Sequence, residues 1–188
     1  TVFSVFTGTE NNVDHSPDSF IFTAITDAPI NTLFSTNIVT VSGIDGGVPI
    51  LIENGQYSID GAEFTSKAGV INNGQTLQLR ARSATELANE LTVEVTVGDF
   101  TTIFSITTEA EDDSPALFLF TDINGGELNK AYSTNVVTIS GINIPVPIGI
   151  SNGEFSIDGS GFSSQPTTIV NGQSLTLRLY TGSEPSTD

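Results

Sequence analysis

The chain has no cysteine, no methionine and no tryptophan among its 188 residues. Without cysteine it can form no disulfide, present no thiol nucleophile and build no thiolate metal site, and its single histidine excludes His-rich zinc sites as well. Because methionine is absent, we expect the chain to be a processed product or a piece of a longer polypeptide.

Basic residues are scarce: there are 5 Lys and Arg against 22 Asp and Glu, for a formal net charge of −17. A surface this acidic repels nucleic-acid phosphates and anionic lipids, and no run approaches the roughly 20 apolar residues of a membrane helix. We therefore predict no nucleic-acid partner and no membrane insertion. A composition rich in Thr, Ser, Gly and Asp, without Cys, favours an extracellular or bacterial cell-surface location.

The chain contains an internal repeat. Residues 16–90 align with residues 114–188 without a gap, and 35 of the 75 aligned positions are identical. The match includes Ser58–Gly61 with Ser156–Gly159. Such similarity at a fixed spacing indicates tandem duplication of one folding unit.

Each repeat shows the alternation of half-buried β-strands. Apolar and polar residues alternate along Thr76–Arg80 and Leu91–Val97, and Asn54-Gly55 and Asp60-Gly61 supply the positive φ angles of tight turns. About seven short strands per repeat, with turns every 8 to 12 residues, are typical of an immunoglobulin-like sandwich. We predict an all-β chain of two tandem Ig-like β-sandwich domains; a closed barrel is the alternative.

A resemblance to a known group of proteins is carried by residues 16–23, 35–44, 57–61 and 64–66. They resemble the Ig-like, fibronectin-III-like tandem repeats of large secreted and cell-surface proteins of marine gammaproteobacteria. The resemblance implies β-sandwiches strung in series as a stalk, spacer or adhesive array. It implies no enzyme activity and no fixed ligand residues.

The second repeat is predicted to lack its last two strands. Repeat 1 closes with a hairpin of Leu91–Val97 and Thr102–Thr108, whereas repeat 2 stops at Asp188, the counterpart of Glu90. Four inward-facing apolar residues of the first of these strands contribute about 6–12 kcal/mol, close to a domain's whole stability of about 5–15 kcal/mol. We therefore expect something to complete repeat 2.

The start of the chain matches the last strand of repeat 1. The matching residues are Thr1, Val2, Phe3, Ser4, Val5, Phe6 and Thr7. Two completions of repeat 2 follow: a longer polypeptide continues into the missing hairpin and further repeats, or this segment of a neighbouring molecule adds as a strand and produces a head-to-tail filament. The predicted divisions are an orphan strand at 1–9, an acidic linker at 10–16, repeat 1 at 17–108, a second acidic linker at 109–114 and incomplete repeat 2 at 115–188.

Catalytic patterns are sparse. His15 lies in a linker, where neighbouring side chains point in different directions and cannot form a triad. Paired carboxylates could hydrolyse glycosides, but Glu53 and Glu63 are not retained in the second repeat, and Asp60 and Asp158 sit in turns where a structural role suffices. We predict that the chain is not an enzyme.

The linkers are the candidate sites for an ion. Calcium binds six to eight oxygen ligands in flexible geometry, so it is the one cofactor that the composition suggests. The candidate ligands at the repeat junctions are Glu10, Asp14, Asp18, Glu109, Glu111, Asp112 and Asp113. The competing interpretation is an acidic linker that is simply solvated.

Aromatic residues suggest a second, weaker function. Tyr57 and Tyr132 align with phenylalanines and read as core positions, whereas Tyr180 aligns with Arg82 and is a candidate exposed ring for a glycan. The leading prediction is therefore a structural or adhesive protein, as a stalk or a filament, and the alternative is a carbohydrate-binding module.

Overall fold

The computed structural model describes residues 13–184, which form β-strands and no helix. This confirms the all-β prediction. The chain divides into two compact units between Ala110 and Glu111, inside the predicted linker 109–114. No helix in residues 13–184 has the length and apolar character needed to cross a membrane.

Unit 1 contains two sheets within residues 13–110. Its strands are β1 (Ile25–Ala28), β2 (Leu33–Ser35), β3 (Val39–Thr40), β4 (Val48–Glu53), β5 (Gln56–Ile59), β6 (Gly69–Ile71), β7 (Thr76–Arg82), β8 (Glu90–Val97) and β9 (Phe100–Thr108). One sheet has five strands in the order β1-β9-β8-β4-β6, and in the other β7 pairs with β2, β3 and β5. All pairs are antiparallel except β1 with β9, which is parallel.

The core of unit 1 draws on both sheets. On β8 the residues Val93 and Val95 are fully buried, as the alternation predicted, and Phe104 of β9 is 1% exposed. Leu77 and Leu79 of β7, in the other sheet, belong to the same cluster. Two sheets that enclose one apolar core are consistent with a β-sandwich.

Unit 2 repeats part of this arrangement. Its strands are β10 (Ala131–Ser133), β11 (Val137–Thr138), β12 (Val146–Ile148), β13 (Glu154–Ile157), β14 (Thr167–Ile169) and β15 (Ser174–Tyr180). Strand β15 pairs with β10, β11 and β13 as β7 pairs with β2, β3 and β5, and β12 pairs with β14 as β4 pairs with β6. Residues 111–184 contain no counterpart of β1, β8 or β9.

The predicted Asp-Gly turns are present in both units. Asp60 has φ 51° and Gly61 has φ 74°, and Asp158 and Gly159 have φ 51° and 70°. Asp and Gly are among the residues that enter this left-handed region at low cost. The duplicated dipeptide therefore reverses the chain after β5 and after β13 in the same way.

Candidate assembly site on unit 2

The two units differ where β9 lies in unit 1. There β1 pairs in parallel with β9, with Ile25 opposite Ile106 and Ala28 opposite Thr108. The equivalent segment of unit 2, residues 123–126, is not a strand. Because residues 111–184 include no counterpart of β9, this segment has no neighbouring strand to pair with.

The loss of β8 shortens the next strand in the same way. In unit 1, Ile50–Glu53 of β4 pair with β8, while Val48–Ile50 pair with β6. In unit 2 only the part that pairs with β14 remains a strand, and residues 149–151 leave the strand conformation. The edge of β12 is therefore left without a β8 neighbour among the described residues.

Apolar side chains at this side of unit 2 are more exposed than their counterparts in unit 1. Leu79 is fully buried in unit 1, whereas its counterpart Leu177 is only half-buried. Leu179 is 46% exposed, although its counterpart Ala81 is 4% exposed. Phe120 is half-buried where unit 1 has the buried Phe22. These differences follow from the absence of the hairpin that covers the same positions in unit 1.

These side chains line a groove of about 480 Å³. The lining residues are Phe120, Thr121, Asp122, Ile123, Asn124, Gly126, Tyr132, Thr134, Leu177, Leu179, Tyr180 and Thr181. The unit 1 counterparts of its apolar wall belong to one core cluster with Phe104 and Ile106 of β9. The groove therefore lies in unit 2 at the position that corresponds to β9 in unit 1.

The predicted assembly segment Thr1–Thr7 lies outside the described residues, as do the predicted ligand Glu10 and residues 185–188. Their positions stay predictions. The groove itself was not predicted from the sequence as a site, although the missing hairpin was. One sequence feature could have located the groove: the apolar core residues recur in both repeats, whereas the hairpin that covers this core follows repeat 1 alone.

Several of the predicted calcium ligands accept local hydrogen bonds. Asp14 Oδ1 accepts the backbone N–H of Ser16 at 2.9 Å, and Asp112 Oδ1 accepts that of Ser114 at 3.0 Å, so both repeats build the same turn. Asp18 Oδ2 accepts the hydroxyl of Ser42 at 2.9 Å. These carboxylates each stabilise the entry to a repeat.

The remaining junction residues are not gathered into an ion site. The backbone of Glu109 is hydrogen-bonded to β1, because its N–H donates to the carbonyl of Ala28 at 3.0 Å. Asp113 Oδ1 accepts the Ser114 hydroxyl at 3.3 Å, and Glu111 is exposed. Within residues 13–184, no group of three His, Asp or Glu side chains is arranged to hold a metal ion. Calcium binding stays a prediction, because Glu10 lies outside this range.

Asp60 forms a clamp between two turns. Its Oδ1 accepts the backbone N–H of Thr76 at 2.8 Å and the Thr76 hydroxyl at 3.1 Å, while its Oδ2 accepts Nε2 of Gln75 at 2.7 Å. The Thr76 N–H is the main cause of a pKa for Asp60 below its ordinary value, because these hydrogen bonds favour the charged carboxylate. Asp158 makes the same contacts in unit 2 and its pKa is lowered for the same reason.

The tyrosines have three different environments. Tyr57 is buried as predicted, its hydroxyl donates to the carbonyl of Lys67 at 2.8 Å, and burial raises its pKa. Tyr132 is half-buried and lines the groove, and its hydroxyl accepts the N–H of Glu127 at 2.8 Å. Tyr180 is 62% exposed, in agreement with its place outside the repeat's core positions.

An arginine stack lies beside Tyr180. The guanidinium of Arg178 lies 4.0 Å from the Phe162 ring centre and 5.7 Å from that of Tyr180, and it forms an ion pair with Glu154 at 2.7 Å. In unit 1 Arg80 stacks on a phenylalanine at 4.2 Å in the same way. The stack is therefore a repeated surface feature, and unit 2 differs in its exposed tyrosine and in its ion pair, since Arg80 donates to the amide oxygen of Gln56 in unit 1.

Comparison with protein-family models finds no match to the chain. Comparison with curated proteins finds no match either. The function of the chain is therefore inferred from its repeat, its fold and its groove.

Proposed function

We propose that the chain is a non-enzymatic structural or adhesive protein of the bacterial cell surface or extracellular space. Its two units are Ig-like sandwiches that serve as a stalk or as the subunit of a head-to-tail filament. The observation that carries this proposal is the apolar groove of unit 2, at the place where unit 1 is closed by β9. A sandwich with such an open side is an acceptor for β-strands.

The donor in this proposal is Thr1–Thr7 of a neighbouring copy. This segment matches Thr102–Thr108 of β9 and places Phe3 and Val5 at the positions of Phe104 and Ile106. Both of those unit 1 residues are buried, at 1% and 0% exposure. Burial of the two donated side chains contributes about 3–6 kcal/mol, at about 1.5–3 kcal/mol for each, and main-chain hydrogen bonds add to it.

Each copy carries one donor segment and one acceptor unit. The contact is heterologous, since the donating surface differs from the accepting surface. Heterologous contacts that do not close into a ring propagate as filaments. This geometry supports a filament or adhesive array rather than a closed dimer.

The proposal is tested by sedimentation velocity and electron microscopy of the 188-residue chain. We expect concentration-dependent filaments for the full chain and monomers after deletion of residues 1–9. Phe3→Asp should abolish filaments, whereas the matched control Val2→Asp, at the position of Ile103, which is 55% exposed, should retain them. Filaments that persist after the deletion, or a full chain that stays monomeric at every concentration, would contradict strand donation.

A carbohydrate-binding module is the alternative function. It is favoured by Tyr180, whose exposed ring lies beside the charged pair of Arg178 and Glu154. Exposed aromatic rings stack on sugar faces while neighbouring polar groups orient hydroxyls. A glycan array with the full chain tests it: binding that is lost in Tyr180→Ala supports the module, and absence of binding to every polysaccharide excludes it.

A further inference from the structure

The open side of unit 2 is two strands wide. In unit 1, β9 and β8 lie between β1 and β4. Unit 2 therefore offers a β9 position, beside residues 123–126, and a β8 position, beside β12. The two positions differ in direction, because β1 and β9 are parallel whereas β4 and β8 are antiparallel.

One left-handed position of β1 recurs in residues 123–126. Asp27, in the irregular middle of β1, has φ 53°, and its counterpart Gly125 has φ 71°. The turn that follows is also the same, with φ 49° at Asn31 and 54° at Asn129. The left-handed positions of β1 and of the turn after it are thus kept in unit 2 although no strand lies beside residues 123–126 in the described part of the chain.

The same turn is fastened to the unit 2 sheet. The N–H of Asn129 donates to the carbonyl of Gly182 at 3.1 Å, as the N–H of Asn31 donates to that of Ala84 at 2.8 Å. The N–H of Thr181 donates to the carbonyl of Lys130 at 2.9 Å. These bonds fix the end of the 123–126 segment relative to β15.

The edge at the β8 position is different. Residues 149–151, the counterparts of the part of β4 that pairs with β8, lie outside β12 and have no partner strand among residues 111–184. The lining of the groove includes Ile123 and Gly126 but none of residues 146–151, so its apolar wall lies at the β9 position and not at the β8 position.

The donor sequence also fits β9 better than β8. Four of the seven residues of Thr1–Thr7 are identical to those of Thr102–Thr108. The inward-facing residues of β8 are Leu and Val, whereas β9 inserts Phe104. Phe3 is the donor's counterpart of that ring, and the groove beside residues 123–126 has the volume and apolar wall to accept it.

We propose that the donated strand occupies the β9 position, parallel to residues 123–126, with Val5 opposite Ile123 and Thr7 opposite Gly126. This register transfers the pairs Ile25 with Ile106 and Ala28 with Thr108 from unit 1. The inference depends on the proposed strand donation and adds its direction, register and partner surface. One donated strand leaves the β12 edge free to accept a second strand.

Cysteine cross-linking tests the register, because the chain has no cysteine of its own. The Val5→Cys, Ile123→Cys variant should give a ladder of covalent oligomers on a non-reducing gel after oxidation. Ser4→Cys with Ile123→Cys is the matched control and should cross-link at least about tenfold less, because successive strand residues face opposite sides. Val5→Cys with Ile150→Cys reports the β8 position, since Ile150 is the counterpart of Ile52, which pairs with Val95 of β8.

The outcomes separate this inference from the proposed function. A ladder from the Ile150 pair and none from the Ile123 pair would overturn the β9 position while strand donation stands. A covalently closed monomer from the Ile123 pair would show donation within one chain and overturn the filament. Hydrogen exchange of the unaltered chain is the second measurement: filament formation should protect residues 123–126 more than residues 149–151, and the reverse would contradict the register.

Discussion

At the scale of single residues, the clearest feature is the aspartate clamp that both units share. The Asp-Gly dipeptides predict turns from the sequence, because both residues tolerate positive φ. The hydrogen bonds of Asp60 to Gln75 and Thr76 could not be predicted in the same way, since they join residues 15 and 16 positions apart. The only signal was the joint repetition of Asp60 and Gln75 as Asp158 and Gln173.

The aspartate clamps make the stability of both units depend on pH. The pKa of each aspartate is lowered from 3.8 in the folded state. The two carboxylates therefore contribute their full stabilisation of the fold above pH 3.8, and this contribution is lost as the pH falls through the lower pKa of the folded state. The Asp60→Asn, Asp158→Asn variant should melt at a lower temperature at neutral pH and lose less stability on acidification. Thermal melts of the variant and the parent chain, from neutral pH to below pH 3.8, measure this difference. The control Thr92→Ala, at an exposed residue of β8 that does not titrate, should keep the parent's pH dependence.

The phenylalanine of β9 should carry a large share of the stability of unit 1. Phe104 is 1% exposed, so Phe104→Ala is expected to reduce the free energy of unfolding of unit 1 by about 3–5 kcal/mol. Ile103→Ala, next to it but 55% exposed, should change it by about 0.5 kcal/mol or less. Urea unfolding of both variants measures the difference, and equal effects would mean that β9 does not cover the core as described.

At the scale of elements, the strands themselves were largely predictable and their pairing was not. Alternation predicted β7 and β8 because one face of each is buried. The parallel pair of β1 and β9 joins segments about 80 residues apart, and no local pattern encodes such a contact. The loss of strand structure at residues 123–126 could not be foreseen either, since it follows from the absent partner and not from the segment's own sequence.

Equivalent substitutions should therefore have different effects in the two units. Ile50, which lies opposite Val97 of the neighbouring β8, is fully buried, whereas its counterpart Ile148 is only half-buried. In the chain that lacks residues 1–9, Ile50→Ala should destabilise unit 1 by about 2–5 kcal/mol, and Ile148→Ala should destabilise unit 2 by about 1 kcal/mol. Hydrogen exchange that resolves the two units measures both effects. A larger effect for Ile148 would show that unit 2 is closed without the donated strand.

At the scale of the whole molecule, the duplicated sequence forms two units with different sets of strands in residues 13–184. Unit 1 has a five-stranded sheet, and the corresponding part of unit 2 is the pair β12 and β14. The repeat alignment predicted this deficit, because it ends with Glu90 opposite Asp188, before the hairpin of residues 91–108. The groove could be located only from the structure, since its place depends on which side chains of unit 1 are covered by the hairpin of β8 and β9.

The unequal units should unfold separately. In the chain without residues 1–9, calorimetry is expected to show two transitions, with unit 2 melting at least about 10 °C below unit 1, because several kcal/mol of apolar burial are missing. In filaments of the full chain the lower transition should rise. A single transition that is insensitive to residues 1–9 would contradict this view of unit 2.

The most direct test of strand donation is the binding of a synthetic peptide of residues 1–9 to the chain that lacks them. We predict saturable binding of one peptide per chain, a raised melting temperature for unit 2 and no binding when Phe3 of the peptide is replaced by Asp. Failure of the unaltered peptide to bind, or equal binding by the Phe3→Asp peptide, would contradict the claim that this segment completes unit 2.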